Sequence, residues 1–256
     1  MATDREPDDQ QLDGKVAIIS GAGAIKDGIG NGRAAAILLA RAGARIMAVD
    51  RDEELAAETA RLIEAEGGEA LAHAADVTEE AECEAMVALA IKTFGRVDVL
   101  DNNVGIGSSG SVVDEVIENW ERVMKVNVQT MFLTTKYAVP AMIDSGDGGA
   151  IVNVIAQMWN GFPMMAHTGA ARAGVDNLTK TLAFEWSQFG VRVNAVAPGV
   201  ILSSGVDNYS PENQKYFFGA VEHIPAGRLG TPREVAAAVV FLLTPAAAFI
   251  TGATIR

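Results

Sequence analysis

Cysteine is almost missing from this chain: one residue in 256, Cys83. A lone cysteine forms no internal disulfide, and in the helical-looking stretch EEAECEAMVALA it reads as a packing residue of a cytoplasmic protein. Histidine is nearly as rare, with three in all and no clustered ligand spacing, so no metal site is expected. Basic residues are outnumbered, 20 Lys and Arg against 33 Asp and Glu, for a net charge of −13. That balance argues against nucleic acid as a partner, because such binding depends on neutralising phosphates. No apolar run approaches the roughly 18 residues that span a bilayer, so no membrane partner is expected. The opening MATDREPDDQQ is acidic and polar rather than basic and then apolar, unlike a secretory signal, and residues 1–11 read as a loose tail. Tyrosine is scarce too: Tyr137, Tyr209 and Tyr216 are the only three.

What is present is apolar residues, 49% of the chain, in a repeating arrangement. Short runs rich in Val, Ile and Ala fall at 15–20, 44–50, 69–76, 97–102, 150–156, 191–197 and 249–255. Longer amphipathic runs lie between them, several closed by Gly43, Gly67, Gly95 or Gly190, where a left-handed cap is wanted. Continuously apolar strands alternating with helices are the pattern of a parallel sheet covered on both faces. The expectation is a single-domain α/β protein over 12–256, a Rossmann-type doubly wound sheet of seven strands with helices on both faces. Residues 200–228 break the rhythm, and an insertion after the sixth strand stands where a substrate lid belongs.

The first apolar run leads into GAGAIKDGIGNG and then a helix. A phosphate needs close backbone approach, free N–H groups and the positive end of a helix dipole. Gly21, Gly28 and Gly30 are the candidates for that loop, with Ile29 expected to pack beneath it. The second strand ends at Asp50, where a carboxylate can accept hydrogen bonds from both ribose hydroxyls of an adenosine and would repel a 2′-phosphate. That favours NAD as cofactor, a preference that the neighbouring Arg51 could soften; the plainer reading of Asp50 is an N-cap for the next helix. Further strand ends carry Asp76–Val77, Asn102–Asn103 with Gly105, and Pro198–Gly199.

In this order these residues resemble the short-chain dehydrogenase/reductase family, from about residue 12 to the end. SGAGAIKDGIG stands for the family's TGxxxGxG, Asp76–Val77 for its adenine-contacting pair and DNNVG for its NNAG, while KVNV supplies its catalytic Asn at Asn127. RVNAVAPGVILS supplies Pro198, Ile201 and Ser203, which the resemblance places at the nicotinamide carboxamide. It also implies a homo-oligomer, dimer or tetramer, built on the fourth and fifth helical runs, at about 112–145 and 167–190, and the last strand. The chain ends at Arg256, short of the Val-Asp-Gly-Gly the family carries there, as a truncated chain would.

The departures lie at the reaction centre. The loop from Gly21 to Gly28 is three residues longer than usual. AHTGAARAGV aligns with YxASKAGV, which puts Thr168 at the Tyr position and Arg172 at the Lys position, while Ile155 or Ala156 takes the place of the upstream Ser. Arg172 keeps a permanent charge for ribose hydroxyls or an oxyanion, but Thr168 is a poor proton source. His167 is a further candidate donor, although a helix-start or packing role is the plainer reading. The second half also resembles the peroxisomal 2-enoyl-CoA reductase branch, which carries Tyr where this chain has Asp176; a ladder from Arg172 through Asp176 to Lys180 is the simpler role there. Met158, Trp159, Phe162, Met164, Met165, Phe217 and Phe218 could line an apolar substrate pocket, or else pack in the core or a subunit interface. The expected activity is NAD(H)-dependent hydride transfer with an apolar ketone, alcohol or 2-enoyl thioester. The alternative is a catalytically silent NAD(H)-binding regulatory or scaffold protein.

Overall fold

Val16–Ser20 (β1) is buried at each of its five positions, which is why the run carries no polar alternation. In the computed structural model, which describes residues 11–25, 28–208 and 211–256, β1 lies in a sheet of seven parallel strands. The others are Arg45–Asp50 (β2), Ala70–Ala74 (β3), Val99–Asn102 (β4), Gly149–Val154 (β5), Val191–Val196 (β6) and Thr254–Ile255 (β7). Their order is β3-β2-β1-β4-β5-β6-β7. Order therefore reverses between β1 and β4, and the crevice at the carboxyl ends of those strands is where ligands of doubly wound sheets bind.

Helices cover both faces. Asn31–Arg41 (α1) and Pro232–Leu243 (α8) pack Ala36, Leu39, Ala236 and Val239 against Ala17, Ile19, Val99 and Val152. Glu80–Phe94 (α3) and Thr130–Asp144 (α5) pack Met86, Ala90, Leu133 and Met142 on the other face, against Ile18, Leu100 and Ile151. Burying each of the Val, Leu, Ile and Met side chains among them contributes about 1.5–3 kcal/mol. Glu53–Ala65 (α2) starts on Asp52, whose carboxylate accepts from the N–H groups of Glu54 and Leu55; the N-cap is thus Asp52 and not Asp50. Gly43, Gly67, Gly95 and Gly190 take φ of 98°, 87°, 84° and 73°, the caps expected of them.

Three stretches differ from the expectation. The long helix of 112–145 is Ile117–Met124 (α4), a π-helical turn over Lys125–Gln129, and then α5. The last strand is two residues, because the chain before it turns to meet β6 side chains: Asn194 donates to the Ile250 carbonyl at 2.9 Å and accepts from the Ala253 N–H at 3.0 Å. The insertion after β6 is built of short helices, chiefly Pro211–Gly219 (α7), and Tyr209 within it, like the tail at 1–10, lies outside the described residues.

Candidate active site

At the end of β1 the backbone turns through Gly21, φ 70°, a conformation L side chains rarely adopt. The Gly21 carbonyl accepts from the Asn103 side chain at 3.2 Å, which ties the start of the loop to the end of β4. Gly32, in the first turn of α1, sits so close that a methyl group there would lie 2.2 Å from that carbonyl. Gly30 is the N-cap of α1 and offers no side chain to its N–H groups, leaving them for a ligand. Asp50 closes β2 and its Oδ2 accepts from the Gly23 N–H at 3.0 Å, while Oδ1 accepts from Asp52 N–H at 3.2 Å. A methyl group on Gly23 would meet that carboxylate at 2.6 Å, so the carboxylate and loop leave each other no spare room.

Ile29 does not pack beneath the loop: it is 40% exposed. The space below is already filled by Ala22, Ala24 and the fully buried Arg33 of α1. Arg33 donates to the carbonyls of Gly28 at 2.7 Å, Ala24 at 3.2 Å and Leu55 at 3.3 Å, and to the Thr59 hydroxyl at 2.9 Å. Its guanidinium thus holds both sides of the lengthened loop. Ser204 closes the loop from above, its N–H donating to the Ile29 carbonyl at 3.2 Å, one residue past Ser203. Arg51 and Asp76 line a shallow pocket with Asp52, Ala74, Ala75 and Glu82 at the ends of β2 and β3, and Val77 is buried behind it.

Ala166–Trp186 (α6) brings the altered centre together. Arg172 is buried and donates to the Val154 carbonyl at 3.1 Å, while its Nε has no partner. It lies against the bare Cα of Gly105, where any β-carbon would collide with the guanidinium. Burial without a paired carboxylate lowers its pKa to about 10, which still leaves it charged near neutrality. The expected ladder is therefore half formed: Asp176 pairs with Lys180 at 2.5 Å, but its other oxygen accepts from Thr254 and not from Arg172. Asn127, in the π-helical turn, clamps Ile106 by donating to its carbonyl and accepting from its N–H, both at 2.8 Å. π-helical turns of this kind are common at functional sites.

Thr168 is buried beside the same loop; a methyl on Gly107 would stop 3.8 Å from its Oγ1. His167 is 1% exposed, with Nδ1 3.0 Å from Thr168 Oγ1 and Nε2 3.1 Å from Glu115 Oε2. Beyond β6, the Pro198 carbonyl accepts from Gln157 N–H and Ile201 bridges to Gly230. Met158 and Trp159 are partly buried against a small core cluster, Trp159 under the Arg256 guanidinium at 3.6 Å. Met164 is 58% exposed at φ 62°, strained for a non-glycine residue, and its carbonyl accepts from Gly110 N–H, joining the loops after β4 and β5. Phe217 and the exposed Phe218 stack edge to face on α7. Gly23, Gly32, Arg33, Ser204 and Glu115 are not picked out by the sequence reading; of these Gly23 and Gly32 carry a local signal, their places in the GAGAIKDGIGNG run. Among the described residues no cluster of His, Cys, Asp and Glu could hold a metal ion, and no helix is long and apolar enough to cross a membrane.

The family described as Enoyl-(Acyl carrier protein) reductase matches residues 23–256. The chain is 38% identical to 2-(S)-hydroxypropyl-CoM dehydrogenase 3 of Xanthobacter autotrophicus, over 95% of this chain and 94% of that protein. It is 38% identical to an uncharacterized oxidoreductase of Thermotoga maritima, over 95% of each chain. A 7α-hydroxysteroid dehydrogenase solved with NADH and 7-oxoglycochenodeoxycholic acid superposes with a TM-score of 0.89 at 32% identity, over 97% of this chain and 94% of that one. Both the length of these matches and the shared seven-stranded sheet agree: the chain belongs to the short-chain dehydrogenase/reductase family.

Proposed function

We propose that the chain is an NAD(H)-dependent oxidoreductase that transfers hydride to or from an apolar ketone or alcohol, or to a 2-enoyl thioester. One observation carries this reading: a buried guanidinium, Arg172, with no carboxylate paired to it among the described residues, set against Gly105 one helical turn from a buried hydroxyl, Thr168. An uncompensated buried cation is costly unless a ligand meets it. The cradle fits a dinucleotide on its own terms. Gly21 turns the loop at φ 70° and Gly30 leaves the N–H groups at the amino end of α1 without a side-chain cap, while Gly28, whose own N–H is taken by the Ile25 carbonyl, lets Ser204 close on the loop; the Asp50 carboxylate stands where a ribose diol would donate. Arg51 and Asp76–Val77 would face the adenine end, with Asn103 and Gly105 at the middle and Pro198, Ile201 and Ser203 at the carboxamide end. The nicotinamide, when bound, supplies or accepts the hydride.

The chain's own residues divide the remaining work. Arg172 binds the ribose hydroxyls and the oxyanion that develops on the substrate. Thr168 hydrogen-bonds the substrate oxygen. Asn127 acts through Ile106, keeping the loop after β4 in register. Residues 200–228 serve as the lid and, with Phe162, Met164, Met165, Phe217 and Phe218, give an apolar substrate its surroundings. Relatives named "Cyclohexanol dehydrogenase" and "Probable 2,4-dienoyl-CoA reductase", 38% and 34% identical, support both the carbonyl and the enoyl alternatives. A protein with this site is expected to work in the cytoplasm as a homo-oligomer.

The test is a turnover screen with NADH against ketones, quinones and enoyl thioesters, and with NAD against apolar alcohols. At least one class is expected to turn over; failure of all of them while NADH still binds contradicts the reading in favour of a silent binding protein. Replacing Thr168→Tyr together with Arg172→Lys is expected to raise the rate of ketone reduction, because a phenol and an ammonium return to the positions the alignment assigns them.

A further inference from the structure

Loss of the family's tyrosine leaves an aliphatic hydroxyl, Thr168, where a proton must move, and such a hydroxyl needs an adjacent base to be useful. The structure supplies one. His167 Nδ1 accepts the backbone N–H of Thr168 at 2.6 Å, which fixes Nδ1 as an unprotonated acceptor and puts the ring proton on Nε2. The Thr168 hydroxyl, 3.0 Å away, can then donate to the same Nδ1. On the far side of the ring Nε2 faces Glu115 Oε2 at 3.1 Å and Ser108 Oγ at 2.9 Å. Glu115 is itself held: its Oε1 accepts from Asn119 at 2.6 Å, and the same amide donates to Ser108 at 2.8 Å while Arg122 donates to the amide oxygen. A packing role for the imidazole would not require a fixed carboxylate behind it.

We propose that Thr168, His167 and Glu115 form a proton relay that stands in for the missing tyrosine. The proposal rests on the hydride-transfer reading above. For an alcohol, the electron pair of the carbinol C–H bond leaves as hydride for the oxidised nicotinamide, the oxidant of that reaction. The O–H bond breaks, its proton passes to Thr168 Oγ1, and the threonine's own proton moves to the lone pair of His167 Nδ1, which gives up its hydrogen bond from the Thr168 N–H as it is protonated. The imidazolium so formed keeps Nε2–H on the Glu115 carboxylate. Ketone reduction runs the same path backwards. Thr168 is the catalytic residue, and His167 and Glu115 act through it as positioning residues. Around the ring, the loop after β4 contributes Ser108 and Glu115, α4 contributes Asn119 with Arg122 behind it, and α6 contributes Thr168 with Arg172 one turn further on.

Two readouts decide it. Nitrogen-15 NMR of the full chain without cofactor, with His73→Gln and His223→Gln used to assign the remaining histidine, is expected to show His167 protonated at Nε2 and bare at Nδ1; the opposite tautomer overturns the relay whatever the activity. With an alcohol the enzyme oxidises, His167→Gln and Thr168→Val are expected to lower kcat by about 100-fold and Glu115→Gln by about tenfold, with KM and NADH affinity held within about threefold. An unchanged kcat in folded, NADH-binding His167→Gln overturns the relay and leaves the oxidoreductase reading standing. If the unmodified chain turns over nothing, the oxidoreductase reading and the relay's catalytic role fall together, and the tautomer then settles only whether the hydrogen-bonded chain exists.

Discussion

Asp101 stands in register with Ile19 on β1 and Val152 on β5, in the apolar layer shared with α1 and α8. Its side chain is fully buried and neither carboxylate oxygen has a partner. Desolvation therefore pushes its pKa up to about 8. Because the folded value lies above the unfolded one near 3.9, the protonated group favours folding at low pH, and that contribution is lost as pH rises through about 8. Replacing Asp101→Val should raise the melting temperature, with the gain growing from about pH 5 to pH 8 and levelling off above; thermal melts across that range check it, and a gap that shrinks with rising pH contradicts it. The contrast with Asp50 shows what can be read from sequence at this scale. Asp50 stands out because a strand end some twenty residues past a glycine loop is an informative place for a carboxylate. Asp101 sits one residue before the NNVG stretch and looks no different until its burial is known. The same holds for Glu115, which meets His167 only because the loop after β4 folds back onto the first turn of α6.

At the level of elements, the strands were legible because a sheet buried on both faces leaves continuous apolar runs, and six of the seven fall within about two residues of their expected places. The exception is β7, shortened by side-chain hydrogen bonds from Asn194 that no periodicity reveals. The break in the long helix was equally hidden, since the residues of KVNVQ are compatible with an ordinary helix and the Asn127 clamp on Ile106, made from within the π-helical turn, joins residues far apart in the chain. The lengthened glycine loop is held by Arg33, a charged residue in the first turn of α1 whose full burial the sequence conceals. Removing its head group would take that donor from the Ala24 and Gly28 carbonyls, whereas the Leu55 carbonyl keeps the Thr59 hydroxyl. We expect Arg33→Met to cost about 1–3 kcal/mol for the carbonyls left unsatisfied and to weaken NADH binding by more than tenfold, read by melting temperature and by NADH fluorescence; binding unchanged in the variant would remove the loop from the cofactor site.

For the whole molecule, α4, the π-helical turn and α5 lie beside α6 and leave a groove lined by Trp120, Met124, Val128, Phe132 and Leu178. Phe132 is 50% exposed, a large aromatic face for a chain of net charge −13 to leave in water. These helices are those expected to form the homo-oligomer, so light scattering should find a dimer or tetramer, and Phe132→Asp should shift it toward the monomer; a monomeric parent chain contradicts that assembly. Every functional claim, the assembly apart, depends on one ligand lying across the switch between β1 and β4. Titrating the pure chain with NADH and NADPH by calorimetry tests that directly. Micromolar binding of NADH with markedly weaker binding of NADPH is the predicted result, and heat from neither, nor from the oxidised forms, would contradict it.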